Sequence, residues 1–318
     1  MNIKLSIVLS TKNEEANIGD CLESVKNIAD EIIVFDEYSE DKTRDIAEKY
    51  GAKVFKYKHK TNFHETKQKA IEKAKGEWIL QLDADELVTP ELAKEIVEVI
   101  NSENGGLTNR VLTPSTIHDT PNTKKATLFY RHQQLIEKRE GRLGKPIGED
   151  MPAGRQIVAF FIPRKNMFLG KPLIHGGVYP DGVIRLIKQG YARLPGKSVH
   201  ELMEVDGEIG WLFNDLEHHD SPTFARYFDR LNRYTDLIAI DFGKDKLPIS
   251  YWNLFNFSFL VPSAQFSVLY FRHKGILDGM QGFIWSLFSS LRFPIAYYKY
   301  YSLNKNNRHT TKLPLPRR

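Results

Sequence analysis

The 318-residue chain has a single cysteine, Cys21, so no intrachain disulfide is possible and a reducing, cytosolic setting is expected. It lacks a Walker-type glycine-rich lysine motif, and no G-x-G-x-x-G follows the first apolar run, which argues against P-loop enzymes and nicotinamide-binding domains. The N-terminus, "MNIKLSIVLSTKNEE", has no useful h-region and no small-residue cleavage site, so a signal peptide is not expected. Internal repeats are missing too. Acid is scarce at the other end: residues 251–318 carry nine Lys or Arg and one acid, Asp278. The remaining 36 basic and 39 acidic residues nearly balance, so the basic character belongs to the C-terminal part.

What is present is an ordinary globular composition, 41% hydrophobic and 27% charged, with room for one large domain and an appendage. Strand and helix patterns alternate through the first hundred residues: "LSIVLS", "EIIVFD", "KVFKY" and "EWILQLD" read as buried strands. Asn13 is expected to N-cap a helix whose apolar face is Ile18, Cys21, Leu22, Val25 and Ile28. Two more helices are expected at "KTRDIAEKYG", stopped by Gly51, and at "HETKQKAIEKAKG". Thr89 and Pro90 open a fourth helix. This order predicts a parallel sheet covered by helices. From 101 to 156 the periodicity fails, and an insertion or mobile loop is expected. Apolar runs resume at "IVAFFIP" and "GVIRLIK", and a helix is expected from Pro222.

The tail differs again. Residues 249–271 contain no charge, nor do 279–291, and 16 of the 37 aromatic residues lie between Tyr251 and Tyr301. Polar residues and Pro262 interrupt the first run, so helices lying in or dipping into an anionic membrane interface are expected rather than a span. A helical hairpin buried on the preceding α/β domain is the competing reading.

Ligands of open parallel sheets bind beyond the carboxyl ends of the strands. There the sequence places "STKNEE", "DEYSEDKT", "KTNFHETKQ" and "DADE", which brings Asp36, Asp83 and Asp85 to one cleft with Lys67. A lone D-x-D is often a capped turn. Here Thr89 already caps the next helix, which leaves Asp83 and Asp85 for a hard divalent cation completed by phosphate oxygens.

In order and spacing, "SIVLSTKNEEANI", "IIVFDEYSEDKT" and "GEWILQLDADE" resemble the family 2 glycosyltransferases of GT-A fold. "PRKNMFLGKPLIHGGVYPDGVIRLIKQG", "GKSVHELMEVDG", "RLNRYT" and "KGILDGMQGF" resemble, within that family, the bacterial lipopolysaccharide inner-core glucosyltransferases. The likeness covers residues 3–100 and about 160–290. It implies a GT-A type, Rossmann-like, mostly parallel α/β sheet sandwiched by helices, with a helical membrane-associated appendage. The implied divisions are a nucleotide-sugar half at 1–100, the insertion at 101–156, an acceptor half at 157–245, aromatic amphipathic helices at 246–302 and a basic disordered tail at 303–318.

By position, the resemblance implies that Thr11, Asn13 and Glu14 line the nucleoside pocket, Asp36 bonds the base and Lys67 lies near the ribose or diphosphate. Asp83 would face ribose and metal, and Asp85 would hold Mg²⁺ or Mn²⁺ against the diphosphate of a UDP-hexose. For the base of an inverting transfer, Glu201 is preferred over Asp181. His200 and His218 are read as supporting groups or a further metal contact, with His218 in the metal set. Arg164 and Arg185 are read as binding phosphate or an acidic acceptor, with Arg185 placed on the donor. Lone surface ion pairs or structural histidines are the plainer alternatives for these residues. Glu37, Tyr38 and Gln68 depart from the family pattern and bear on donor fit. The implied activity is metal-dependent, inverting transfer of glucose from UDP-glucose to a cell-envelope glycolipid, lipopolysaccharide core or polysaccharide. It would act at the cytoplasmic face of the inner membrane, with no nucleic-acid partner and an oligomeric state left open. A sugar-phosphate nucleotidyltransferase and a catalytically silent glycan-binding scaffold are the alternatives.

Overall fold

Leu5, Ile7, Val8 and Leu9 are fully buried, so "LSIVLST" has no face to offer water and forms the central strand β1, Leu5–Thr11. In the computed structural model, which describes residues 3–58, 63–102, 109–120, 122–141, 156–195 and 202–307, the chain forms two compact units. The first comprises Met1–Lys165 and Pro180–His219, the second Asn166–Tyr179 and Asp220–Arg318.

In the first unit β1 pairs in parallel with β2, Glu31–Asp36, and with β4, Trp78–Leu82, and β2 pairs in parallel with β3, Lys53–Lys56. The connecting helices are α1, Ile18–Val25; α2, Thr43–Lys49; and α3, Phe63–Lys73. The α1 face Ile18, Cys21, Leu22 and Val25 is buried, as its spacing predicts. Asn13 does not cap it; α1 starts at Ile18, and Asn13 instead takes a left-handed φ of 55°. Helix α4, Pro90–Asn101, is capped by Thr89, whose hydroxyl accepts from the Leu92 N–H at 3.2 Å. Its Leu92, Ile96, Val99 and Ile100 join the same core, each burial contributing about 1.5–3 kcal/mol.

Beyond β4 the sheet continues with antiparallel neighbours: β8, Asp181–Lys188, and then β6, Ile157–Phe168. Its order is β3-β2-β1-β4-β8-β6-β12-β5, where β5 is Glu86–Val88 and β12 is Leu216–Ser221. The strand β11, Glu208–Trp211, pairs with β6, and β7, Lys171–Pro172, pairs with the end of β6. A separate hairpin joins β9, Ala192–Arg193, to β10, Glu204–Val205.

The expected loop at 101–156 is in part helical. After a 3₁₀ turn at Ile117–Asp119, α5 spans Thr123–Glu140. Few apolar positions mark it, but Phe129 is fully buried and stacks on Trp211 at 4.7 Å, while Lys125 donates to the Phe213 carbonyl at 2.9 Å. In the second unit α6, Phe224–Lys244, lies with the C-terminal helices, so the boundary falls near residue 220 and not at 245.

Candidate active site

Two loops at the carboxyl ends of β1 and β2 are stitched together side chain to backbone. The N–H groups of Asn13, Glu14 and Glu15 donate to Ser39 Oγ, Thr43 Oγ1 and Asp41 Oδ2, at 2.8, 2.8 and 3.1 Å. In return Asn13 Oδ1 accepts from the Glu40 N–H at 2.8 Å. The left-handed turn at Asn13, which Asn tolerates better than most residues, makes this exchange possible. Asp36 holds the centre: fully buried, it accepts from the Ser39 N–H and Oγ at 2.9 and 2.5 Å, from Thr11 Oγ1 at 3.4 Å and from Arg44 at 3.3 Å. Expected on the base, Asp36 already organises the loop around it.

The three acids of "DADE" divide. Glu86 is fully buried; it accepts the Asp83 N–H at 3.0 Å and Arg185 at 2.6 Å, and Arg164 stands 3.4 Å away. Asp83 has Lys67 Nζ at 2.5 Å on one oxygen and Arg185 at 2.6 Å on the other. Burial opposes its charge, but Arg185 and Lys67 hold its pKa well below the usual carboxylate range. Asp85 is the acid that faces an imidazole: His218 Nε2, from β12, lies 3.7 Å from Asp85 Oδ2. Strand β12 reaches Asp85 because it pairs antiparallel with β5, setting His218 opposite Glu86. His218 and Asp220 alternate along β12 and so share one face of the strand. Burial, reinforced by Arg164, pushes the His218 pKa down to about 3, so the ring is neutral at pH 7.

The carboxylate suits Mn²⁺ or Mg²⁺, and the neutral imidazole beside it favours Mn²⁺, since Mg²⁺ prefers oxygen ligands. Ligand bonds of about 2.1 Å place adjacent donors of one octahedral ion roughly 3 Å apart, so the observed 3.7 Å needs a small adjustment.

Residues 6–156 match the model of the Glycosyl transferase family 2. That stretch, just under half of the chain, resembles a family 2 glycosyltransferase domain. The chain is 46% identical over 106 residues to an uncharacterized glycosyltransferase of Rickettsia bellii, a stretch covering 32% of this chain and 34% of that protein. The match thus spans about a third of that relative. Among solved structures it is similar to glucosyl-3-phosphoglycerate synthase from Mycobacterium tuberculosis in complex with Mn²⁺, UDP-glucose and glycerol 3-phosphate. That likeness has 23% identity, covers 32% of this chain and 42% of that one, and has a TM-score of 0.28. S. aureus TarS 1–349 in complex with UDP-GlcNAc is matched over 96% of this chain and 92% of that one, at 16% identity and a TM-score of 0.39.

Thr11, Asn13, Glu14, Asp36, Asp83 and Asp85 lie at or just beyond the carboxyl ends of the parallel strands, and Lys67 joins Asp83 there. Two of the expected site residues are engaged by protein partners. Arg185 does not present itself to a donor phosphate: it is buried and bound to Gln81, Asp83 and Glu86, because an acid as buried as Glu86 needs a counter-charge. Asp83, expected on the metal, has both oxygens engaged by cations, whereas Asp85 faces the His218 imidazole.

Asp181, one of the two expected bases, is held by the Arg164 guanidinium through Nε and Nη2 at 2.9 and 2.6 Å. Glu201 and His200 lie outside the described residues. His132, on α5, went unread in the sequence: its Nε2 accepts from the Gly182 N–H at 3.1 Å, which places it beside Asp181. Burial lowers its pKa and keeps it the neutral acceptor this bond requires. Gly182 has no room for a side chain, since a Cβ there would lie 2.5 Å from Trp211, itself stacked between Phe129 and Phe161 at 4.7 Å each. Gly182→Ala is therefore expected to destabilise the protein by about 1–3 kcal/mol in urea unfolding, the usual cost of overpacking. An unchanged midpoint would show that Trp211 yields.

Proposed function

We propose that the protein is a metal-dependent, inverting glycosyltransferase that moves glucose from UDP-glucose to a cell-envelope glycolipid, lipopolysaccharide core or polysaccharide, working at the cytoplasmic face of the inner membrane. The observation that carries the reading is the pairing of Asp85 with a neutral His218 at the strand edge, next to the Lys67–Asp83–Arg185 cluster. Asp85 and His218 would hold Mn²⁺ or Mg²⁺, which when bound supplies a Lewis acid and a template for the departing diphosphate. Lys67, fixed by Asp83, adds a positive charge on the same side, where negative charge gathers on the leaving group. Thr11 and Asn13 hold the nucleoside side of the cleft in one conformation, because Asp36 and Ser39 lock both.

The acceptor hydroxyl must lose its proton to a carboxylate. Arg164 holds Asp181 Oδ2 through two nitrogens, and a proton taken by Asp181 would cancel the charge on which that ion pair rests, so Glu201 remains the preferred base. The alternative of a nucleotidyltransferase loses ground on the loop after β1. Its consecutive N–H groups, which would cradle a phosphate, are spent on Ser39, Thr43 and Asp41.

Purified protein incubated with a panel of nucleotide sugars and Mn²⁺ or Mg²⁺, with and without EDTA, tests the reading. Metal-dependent hydrolysis or transfer of one donor, abolished by EDTA, is expected. Absence of turnover together with absence of nucleotide binding would leave the silent scaffold as the better description.

A further inference from the structure

The second unit contains a helix, Tyr251–Arg272, long and apolar enough to cross a membrane, and only 6% of its most apolar window is buried. It consists of α7, Tyr251–Phe255, and α8, Val261–Ser267, each followed by a π-helical turn, Asn256–Leu260 and Val268–Arg272. Tyr251, Trp252, Phe255 and Phe259 form an exposed stripe, with Tyr251 at 92% and Trp252 at 66% exposure. Arg272, His273 and Lys274, all exposed, follow at its far end, and Leu277 and Met280 stand out just beyond. Aromatic rings beside cations, with Asp278 the one acid, match the headgroup region of an anionic bilayer rather than an acidic protein surface.

Length alone would allow a span. The tethers forbid it. At the N-terminal end, the Leu247 carbonyl accepts from the Tyr300 hydroxyl at 2.7 Å, and the Leu247 N–H donates to the Phe242 carbonyl of α6 at 3.0 Å. At the C-terminal end, the His273 carbonyl accepts from the Gly176 N–H at 2.9 Å, and Asp278 takes both the ring and the backbone N–H of His175 at 2.8 Å. Between them the helix lies along α9, Gly279–Asn307: Phe266 meets Phe283 at 6.0 Å, Phe257 stacks on Tyr297 at 5.2 Å, and Ser258 accepts from Tyr298 at 2.8 Å. Helix α6 lies along the same stretch of α9, from Phe224 against Phe288 at 5.0 Å to Asp236 on Lys299 at 2.7 Å and Phe242 against Tyr300 at 6.2 Å. Along that length α6 carries Arg226, Asp229, Arg230, Arg233, Asp236 and Asp241, and Asp229, Arg233 and Asp241 are exposed. A layer that includes this helix cannot stand upright in hydrocarbon.

We infer that Tyr251–Arg272 lies in the plane of an anionic membrane, its inner side on α9 and its aromatic stripe in the headgroup–acyl boundary, so that the protein is monotopic. This deepens the membrane placement proposed above and is independent of the transfer chemistry. The buried Cys21 leaves the chain suited to labelling through introduced cysteines. Full-length Trp252→Cys, Phe259→Cys and Phe271→Cys, each carrying an environment-sensitive fluorophore, would be mixed with phosphatidylglycerol–phosphatidylcholine vesicles and quenched by lipids brominated at shallow or deep positions. All three labels are expected to shift to the blue and to quench alike from the shallow position. A profile deepest at residue 259 and shallow at 252 and 271 would mean a span and overturn the inference. So would labels silent towards vesicles of any composition while sedimentation equilibrium shows a dimer, since a second copy would then cover the stripe. Phe255→Glu with Phe259→Glu is expected to lower vesicle partitioning about tenfold or more. Metal-dependent hydrolysis of a soluble nucleotide sugar should persist in that variant, which separates failure of the membrane inference from failure of the transferase reading.

Discussion

Asp85→Ala is expected to lower metal-dependent turnover of the nucleotide sugar by about 10²–10³-fold, the range for losing one preorganised electrostatic group at a reacting centre. Asp85 and His218 form the only pairing of a "DADE" acid with a neutral imidazole among the described residues, and its other two acids are engaged by cations. His218→Ala should fall to a similar level. If both serve one ion, the double variant should be scarcely worse than either single one, because groups that act as a unit are not additive. Binding gives a second readout: Mn²⁺ with UDP should raise the unfolding temperature of the natural protein and leave that of Asp85→Ala unmoved. Full activity in Asp85→Ala would place the ion elsewhere, even with the reaction class intact.

The parallel half of the fold was legible because its strands are buried on both sides and its helices carry one clean apolar face, as in "LSIVLST" and Ile18–Val25. The clustering of the polar loops at one edge followed from topology alone. Three features were not legible, each for a long-range reason. Helix α5 has little periodic apolar signal, and its anchor Phe129 is held by Trp211, far along the chain. Asn13 carries the signature of a cap, yet its side chain serves the β2–α2 loop, so local propensity lost to a tertiary contact. Pro262 looked like an interruption of the apolar helix; it opens α8 directly after a π-helical turn, where a missing N–H is tolerated. The acid cluster at β4 was visible, but its counter-charge was not, since β8 meets β4 only through an antiparallel pairing about a hundred residues distant.

That counter-charge sets the second large expectation. Arg185→Met, which keeps an apolar stem of similar length, is expected to destabilise the protein by about 3–5 kcal/mol, the usual loss when one member of a buried ionic group is removed. The cost arises at Glu86, fully buried and left with Arg164 at 3.4 Å, and at Asp83, left with Lys67. The pH dependence follows from Asp83. Its pKa lies below the unfolded value of about 3.9, so the stabilisation it gains from Arg185 is complete above that pH and is lost as the pH falls towards the folded value. The difference in urea stability between natural protein and variant should therefore be largest near neutrality and narrow below about pH 4. Adding Glu86→Gln should recover part of the loss, because Gln keeps an acceptor for the Asp83 N–H and brings no charge. Should Arg185→Met unfold at the same urea concentration as the natural protein at pH 7, Arg185 would not be the strut of the acid cluster, and the donor-side role expected from the sequence would again be the better account of it.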